Sequence, residues 1–291
     1  MTRILVRLAV GLTALAVGVV GVALALGARE RWTPIAPQCT ATANGDTASL
    51  AVDQTANAAL IAAVAERREL PARAVTIALA TALQESKLRN IDYGDRDSIG
   101  LFQQRPSQGW GTVEEIMDPV YATKKFFSAL VTVPDYEALP ITEAAQAVQR
   151  SAFPLAYADH EETARRFASA LTGHSPAGLA CHLPPAETPG SLDELAANLT
   201  SAFGKGVGVA SEPPSSVDDA GQPAGGHLTA VAPTDREGWA VAAWAVAHAD
   251  AERITAVEAG SLRWERTWGE WRDRTDPTQL PAGETVIYLA E

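Results

Sequence analysis

Two short motifs lie a fixed distance apart in this sequence, and together they constrain the fold more than any other feature. Glu85-Ser86 stands at the end of an apolar helical stripe that begins near residue 75. A Gly-Leu-Phe-Gln motif at residues 100–103 begins fifteen residues after the Glu. Between the motifs, residues 90–98 include three Asp and one Gly, a composition typical of a turn-rich loop. The pattern predicts a helix that ends at an acidic side chain and is followed by a polar loop.

This pair of motifs resembles the signature of the lysozyme-like superfamily, in particular its soluble lytic transglycosylases and goose-type lysozymes. In the superfamily pattern a helix ends in Glu-Ser, and a Gly-Leu-Met-Gln motif follows at the same distance. Here Phe102 occupies the Met position and Gln103 keeps the Gln. The resemblance covers residues 51–182 and implies a helical domain that binds and cleaves the glycan strands of peptidoglycan.

The resemblance implies that Glu85 is the catalytic acid of this domain. Cleavage of a glycosidic bond needs a carboxylic acid that is still protonated near neutral pH, and burial beside an apolar face favours that form. Lytic transglycosylases use one Glu to protonate the glycosidic oxygen and then to deprotonate the muramic acid C6 hydroxyl. Related lysozymes add an Asp that positions water, and Asp97 is the expected second carboxylate. Simple solvation of Glu85 and Asp97 is the alternative interpretation.

Seven further residues are expected to contact the substrate. Glycine allows the backbone to approach a sugar closely, amide side chains bond acetamido groups, and an indole ring stacks on a pyranose. Where the superfamily shows Ala-Tyr-Asn-Ala-Gly, residues 147–151 read Ala-Val-Gln-Arg-Ser. A Gln or a nearby Tyr is therefore expected to replace the missing side chains. The alternatives are that the Ser orients the catalytic Glu and that the Trp belongs to the core. The expected substrate-binding residues are Ser86, Gly100, Gln103, Gln104, Trp110, Gln149 and Tyr157.

The N-terminal segment indicates export. Residues 8–28 carry no charge, and about 20 such residues suffice to cross a bilayer as a helix. We expect residues 1–31 to form a cytoplasmic tip and a single membrane anchor, with a cleaved signal peptide and secretion as the alternative. Either interpretation places the rest of the chain outside the cytoplasm. In that oxidising location Cys39 and Cys181, the only two cysteines, are expected to form a disulfide.

The composition excludes several other functions. The balance is acidic, with 35 Asp and Glu against 23 Lys and Arg, which argues against a nucleic-acid-binding surface. The five His residues lack the short spacings of a zinc site, so neither a metal nor another cofactor is expected. Peptidoglycan and the membrane are the expected partners.

The rest of the chain divides into four segments. Residues 32–50 are rich in Pro, Thr and Ala and are expected to form a spacer. Helical periodicity dominates residues 51–182, and the Pro-rich residues 183–190 read as a linker. Residues 191–291 contain helical and strand patterns. This segment also holds five of the seven Trp, which are expected to form its core, with glycan binding as the alternative. Strands are predicted at 254–258, 262–264 and 285–289. The predicted fold is mainly α: a helical lysozyme-like domain followed by a small α+β domain.

Two functions of different classes remain open. The favoured one is cleavage of peptidoglycan glycan strands outside the membrane, by a lytic transglycosylase or a muramidase. The alternative is a catalytically inactive protein that keeps the lysozyme fold and binds peptidoglycan, or serves as a scaffold in an envelope or secretion apparatus. The intact Glu-Ser and Gly-Leu-Phe-Gln motifs favour the enzyme, whereas the altered segment at residues 147–151 favours the alternative.

Overall fold

A computed structural model describes residues 36–151, 155–212, 226–276 and 278–291. The predicted membrane anchor at residues 1–31 lies outside these ranges. Within the described part of the chain, no helix combines the length and the apolar character needed to span a bilayer.

The first half of the described chain is built around one buried helix. Helix α2 (Ala72–Ser86) has eleven of its fifteen residues buried. A helix that is apolar on nearly all sides must be surrounded by other elements. It packs against all four of the longer helices in this half. These neighbours are α1 (Val52–Glu66), α4 (Pro119–Leu130), α5 (Ile141–Gln149) and α6 (Glu161–Leu171), while a short α3 (Val113–Met117) precedes α4.

The end of α2 follows from a specific backbone arrangement. Lys87 and Leu88 both adopt left-handed conformations, with φ of 54° and 56°. The Leu88 amide donates to the Ala82 carbonyl at 2.9 Å, and the Leu88 side chain is fully buried. This is a Schellman-type helix end, in which a backbone bond and an apolar contact stop the helix together. The last turn of α2 therefore has a fixed position relative to the core.

The prediction of a mainly α fold is wrong. The structure is a mixed α+β fold with 43% helix, 20% strand and two antiparallel sheets. In the first half, β1 (Gln38–Ala43) pairs with both β2 (Asp46–Ala51) and β3 (Leu179–His182). Residues assigned to a spacer thus form a hairpin. Its turn is Asn44-Gly45, with φ of 54° and 86°, and an Asn-Gly turn between alternating residues is a strong hairpin signal.

The predicted disulfide is confirmed. Cys39 and Cys181 are bonded to one another and lie opposite each other in the register of β1 and β3. Both side chains are fully buried. The bond closes the two ends of the motif-bearing segment onto neighbouring strands.

The second half is a six-stranded antiparallel sheet covered by two helices. The strands are β4 (Gly208–Glu212), β5 (His227–Val231), β6 (Ile254–Ala259), β7 (Leu262–Glu265), β8 (Trp271–Asp273) and β9 (Glu284–Leu289). Their order in the sheet is β4-β5-β9-β6-β7-β8, and α7 (Leu192–Phe203) and α8 (Asp235–Ala247) pack on it. The three strands predicted from the sequence, β6, β7 and β9, are present with ends shifted by no more than one residue.

Tryptophan side chains from the second half reach into the first. The described residues between Pro37 and Glu291 belong to one compact unit. The Trp264 indole donates to the Cys181 carbonyl at 3.2 Å, and the Trp271 indole donates to the Leu179 carbonyl at 2.7 Å. Trp264 is fully buried, and Trp239 and Trp244 are also buried. These indoles serve the core rather than an open glycan-binding surface.

Removal of the disulfide tests how much this closure stabilises the fold. The bonded cysteines are 142 residues apart, and loop-closure entropy predicts a stabilisation of about 4–5 kcal/mol. We expect the double variant Cys39→Ala, Cys181→Ala to lose about this much free energy of unfolding in urea denaturation. The reduced wild-type protein is the matched comparison and should unfold at nearly the same urea concentration as the variant. An unchanged midpoint for both would contradict the prediction.

Candidate active site

A polar cleft of about 940 Å³ lies at the end of α2. Its walls come from the loop after α2, from the end of α4 and from the end of α5. Apolar wall residues are Trp110, Ala129, Val133, Ala147 and Val148. The polar and charged wall residues are Glu85, Asp95, Arg96, Ser98, Gln103, Arg105, Gln108, Thr132, Gln149, Arg150 and Ser151. We refer to these residues together as the cleft.

Glu85 occupies the boundary between the core and the cleft. It lies in the last turn of α2, is half-buried and lines the cleft. Burial raises the pKa of Glu85 above its ordinary value because the charged form loses hydration. The Tyr157 hydroxyl donates a hydrogen bond to Glu85 Oε1 at 2.7 Å, which lowers the pKa and offsets part of this effect. Desolvation is the larger of the two, so the proton is held more tightly than in a free carboxyl.

Tyr157 supports Glu85 from the core side. It lies in a 3-10 turn, Ala156–His160, that packs on α2, and its side chain is fully buried. Burial and the neighbouring Glu85 both raise the pKa of Tyr157, so the phenol remains a hydrogen-bond donor. Tyr157 was expected to contact the substrate. The structure instead places it behind Glu85 and not among the residues that line the cleft.

Three of the expected substrate-binding residues hold the second motif in place. Ser86 is buried, and its hydroxyl donates to the Leu101 carbonyl at 2.7 Å. Gly100 has φ of 78°, and a Cβ added there would lie 3.0 Å from the Ile116 carbonyl oxygen, so a side chain does not fit. Gln104 is 1% exposed and donates to the Ala122 carbonyl at 3.1 Å. None of the three lines the cleft.

The other three expected residues do line the cleft. Gln103 donates from Nε2 to the Tyr93 carbonyl at 3.2 Å, and Gln149 donates from Nε2 to the Phe102 carbonyl at 2.8 Å. These bonds fix the orientation of both amides. Trp110 is half-buried, so part of its indole ring is accessible from the cleft. The altered segment at residues 147–151 therefore still supplies an oriented amide to the site.

Asp97 does not occupy the position of a second catalytic carboxylate. It is absent from the cleft wall, and its Oδ1 accepts from Arg105 Nε at 2.7 Å. Its Oδ2 accepts from the Ser107 backbone amide at 2.8 Å. Bonds to Ser107 and Arg105 hold the pKa of Asp97 well below its ordinary value. Asp97 is thus a fixed anion that ties the loop to residues 105–107, and the cleft wall contains Asp95 instead.

Sequence analysis missed four residues that shape the cleft. Arg96, Arg105 and Arg150 contribute guanidinium groups to its wall. Gly94 acts in a different way, because a Cβ there would lie 2.5 Å from the Ser98 carbonyl oxygen and would also displace the Gln103 amide. A sequence signal existed only for Arg150, which stands where the resembling superfamily has a small residue.

Comparisons with known proteins leave the site as the basis for assigning a function. No family model matches this chain, and no curated protein matches it. Within the described ranges, no group of three or more His, Cys, Asp or Glu side chains is arranged to hold a metal ion. The resemblance to the lysozyme-like superfamily therefore stays a prediction from the two motifs.

The hydrogen bond between Tyr157 and Glu85 can be tested by titration. The phenol favours the charged carboxylate, so Tyr157→Phe should raise the pKa of Glu85 further above its ordinary value. NMR titration of ¹³C-labelled glutamate carboxyl groups measures this directly. Tyr288→Phe is the matched control, because that phenol lies near Glu258 in the second sheet and should leave Glu85 unchanged. A lowered pKa of Glu85 in Tyr157→Phe would show that the phenol does not act as a donor to it.

The structural role of Asp97 predicts a dependence of stability on pH. Since its folded-state pKa is depressed, its contribution is present above about pH 4 and is lost as pH falls toward the folded-state value. Asp97→Asn should therefore lower the denaturation midpoint at pH 6, and the difference from wild type should shrink in acid. Asp95→Asn is the control from the same loop, since Asp95 is 3.9 Å from Arg96 and both side chains are exposed. Equal midpoints for Asp97→Asn and wild type at pH 6 would refute this role.

Proposed function

We propose that the protein cleaves the glycan strands of peptidoglycan by an intramolecular route that leaves a 1,6-anhydro end. The observation that carries the proposal is Glu85, a half-buried carboxyl held by Tyr157 at the wall of a polar cleft. A positioned carboxyl that keeps its proton is the group that glycosidic bond cleavage needs. The resemblance of the two motifs to the lysozyme-like superfamily points to the same chemistry.

The first step is proton transfer from Glu85 to the glycosidic oxygen. The bond between that oxygen and C1 of the muramic acid then breaks, and positive charge develops on the sugar ring. Burial favours the protonated acid before the step. The bond from Tyr157 favours the carboxylate that the step creates. Burial therefore suits Glu85 before the proton transfer, and the Tyr157 hydroxyl suits the carboxylate after it.

The choice of second step rests on the carboxylates near Glu85 in the described part of the chain, because neither Asp97 nor Asp95 is placed to position a water molecule. Hydrolysis in this type of site needs a second carboxylate that positions a water molecule. Asp97 is bonded to Arg105 and Ser107, and Asp95 has a side chain that is 89% exposed and therefore poorly oriented. The substrate's own C6 hydroxyl replaces water: Glu85 takes its proton, and O6 attacks C1. The proton returns to Glu85, and no water is consumed.

The remaining cleft residues suit a chain of N-acetylated sugars. A volume of about 940 Å³ is near the upper end of the usual range for ligand sites. The oriented amides of Gln103 and Gln149 suit acetamido and hydroxyl groups, and Trp110 offers an indole face. The disulfide agrees with an oxidising, extracytoplasmic location, which is where peptidoglycan is found.

The decisive experiment compares wild type with Glu85→Gln on purified peptidoglycan. We expect wild type to release anhydro-muropeptides, identified by mass spectrometry. Glu85→Gln should lower the rate by at least about a hundredfold, because the amide cannot donate and take back a proton. Circular dichroism of the Glu85→Gln variant serves to check that it is folded.

Glu143→Gln is the matched control, since Glu143 is exposed in the first turn of α5 and does not line the cleft. It should keep the wild-type rate. Products with reducing ends instead of anhydro ends would replace the proposed route by hydrolysis. Absence of any product from folded wild type would favour the catalytically inactive binding protein.

A further inference from the structure

The cleft is cationic although the chain as a whole is acidic. The formal net charge of the protein is −12 at pH 7. Three arginines line the cleft, against the carboxyls of Glu85 and Asp95. Glu85 is uncharged in the state that begins the reaction proposed above. The wall then carries three positive groups and one negative group, which is the opposite balance to that of the chain.

The three arginines differ in how far their charge is already neutralised. Arg105 is bonded to Asp97 at 2.7 Å and is mostly buried. Arg96 has only a long contact of 3.9 Å with Asp95, and both side chains are exposed, so this pair is weak. Arg150 forms no ion pair with any residue in the described ranges and is exposed at the cleft. Its guanidinium group is therefore the one with the most capacity to bind an anion.

The backbone holds Arg150 in an unfavourable conformation. It follows the last residue of α5 and has φ of 53°, in the left-handed region that residues with a side chain adopt infrequently. Its amide donates to the Gln146 carbonyl at 2.8 Å, and Gln146 donates from Nε2 to the Ser151 carbonyl at 2.9 Å. Gln149, one residue earlier, is fixed by its bond to Phe102. As at the end of α2, the left-handed residue fixes where the helix stops, so Arg150 has a defined backbone position at the cleft wall.

We propose that Arg150 binds a carboxylate of the peptide stem that muramic acid carries, so that the preferred substrate is a strand whose stems have free carboxylates. The inference rests on the proposed function and specifies its substrate class. A guanidinium group forms two parallel hydrogen bonds with a carboxylate, which gives direction as well as attraction. Gln149 lies beside Arg150 in the cleft wall. In this proposal Gln149 binds an acetamido group of the sugar, and Arg150 binds the carboxylate of the stem.

Binding to the inactive Glu85→Gln protein provides the test. Two soluble strand preparations are compared, one with free stem carboxylates and one with the same carboxylates converted to amides. Fluorescence anisotropy of labelled strands at pH 7 gives the dissociation constants. We expect the free-carboxylate strand to bind roughly five- to tenfold more tightly, as for one charge-assisted hydrogen-bonded pair at a partly exposed site. Salt should reduce the preference because the guanidinium group is exposed.

Three further variants in the Glu85→Gln background assign the preference to Arg150. Arg150→Asn should abolish it, and Asn tolerates the left-handed backbone, so the fold is kept. Arg150→Lys keeps the charge and should retain part of the preference. Arg272→Gln is the control, because Arg272 is an exposed arginine of β8 outside the cleft, and it should bind as the parent does.

The outcomes separate this inference from the proposed function. Equal binding of the two strands by the parent, or an unchanged preference in Arg150→Asn, overturns the role of Arg150 alone. An equal loss of affinity for both strands in Arg150→Asn also overturns it, because the ligand is then not the stem carboxylate. Binding is measured without catalysis, so a failure of wild type to form anhydro products bears only on the proposed function.

Discussion

The way α2 ends determines most of what surrounds the site. The left-handed Lys87 and Leu88 stop the helix, and burial of Leu88 fixes that stop to the core. One residue earlier, Ser86 bonds to Leu101 and so joins the helix end to the Gly-Leu-Phe-Gln segment. Glu85, which precedes Ser86, is left at the edge between apolar packing and solvent. The Glu-Ser pair therefore combines one residue that points to the cleft with one that anchors the cleft wall.

In the reaction that we propose, one carboxyl acts first as an acid and then as a base, and the boundary position of Glu85 suits both roles. A fully buried Glu would keep its proton too tightly, and a solvated one would lose it below neutral pH. Desolvation on the α2 side raises the pKa of Glu85, and the bond from Tyr157 limits the rise. Since Tyr157 is buried, the geometry of this bond does not depend on solvent or substrate. Both opposing effects on the pKa of Glu85 are therefore set by the fold.

Sequence reasoning predicted α2, the site of Glu85, the disulfide and three strands of the second sheet, because each has a local signal. The β1–β2 hairpin was not predicted, because the Pro and Thr residues around it favoured a spacer. The Asn44-Gly45 turn was the local signal for it. Tyr157 was predicted to contact the substrate, but its observed contact is with Glu85, 72 residues away in sequence, and follows from tertiary packing. Asp97 was chosen by position alone. The bond between Asp97 and Arg105 depends on how the loop folds back, and the spacing of residues in the sequence does not predict it.

The second half of the chain acts on the site through packing rather than through surface aromatics. Arg236 of α8 bonds to both carboxylate oxygens of Glu66 at 3.0 Å, and to the Thr172 carbonyl at 2.7 Å. This ion pair is only partly buried, so its net contribution to stability is small, but its two parallel hydrogen bonds fix the direction of the contact. Such a pair therefore favours one docking geometry over others. Trp264 and Trp271 add hydrogen bonds to carbonyl groups of β3. Together these contacts fix the second half against α1 and the disulfide-bonded strands. Since these indoles are used in packing, the glycan site that we propose is confined to the cleft at α2.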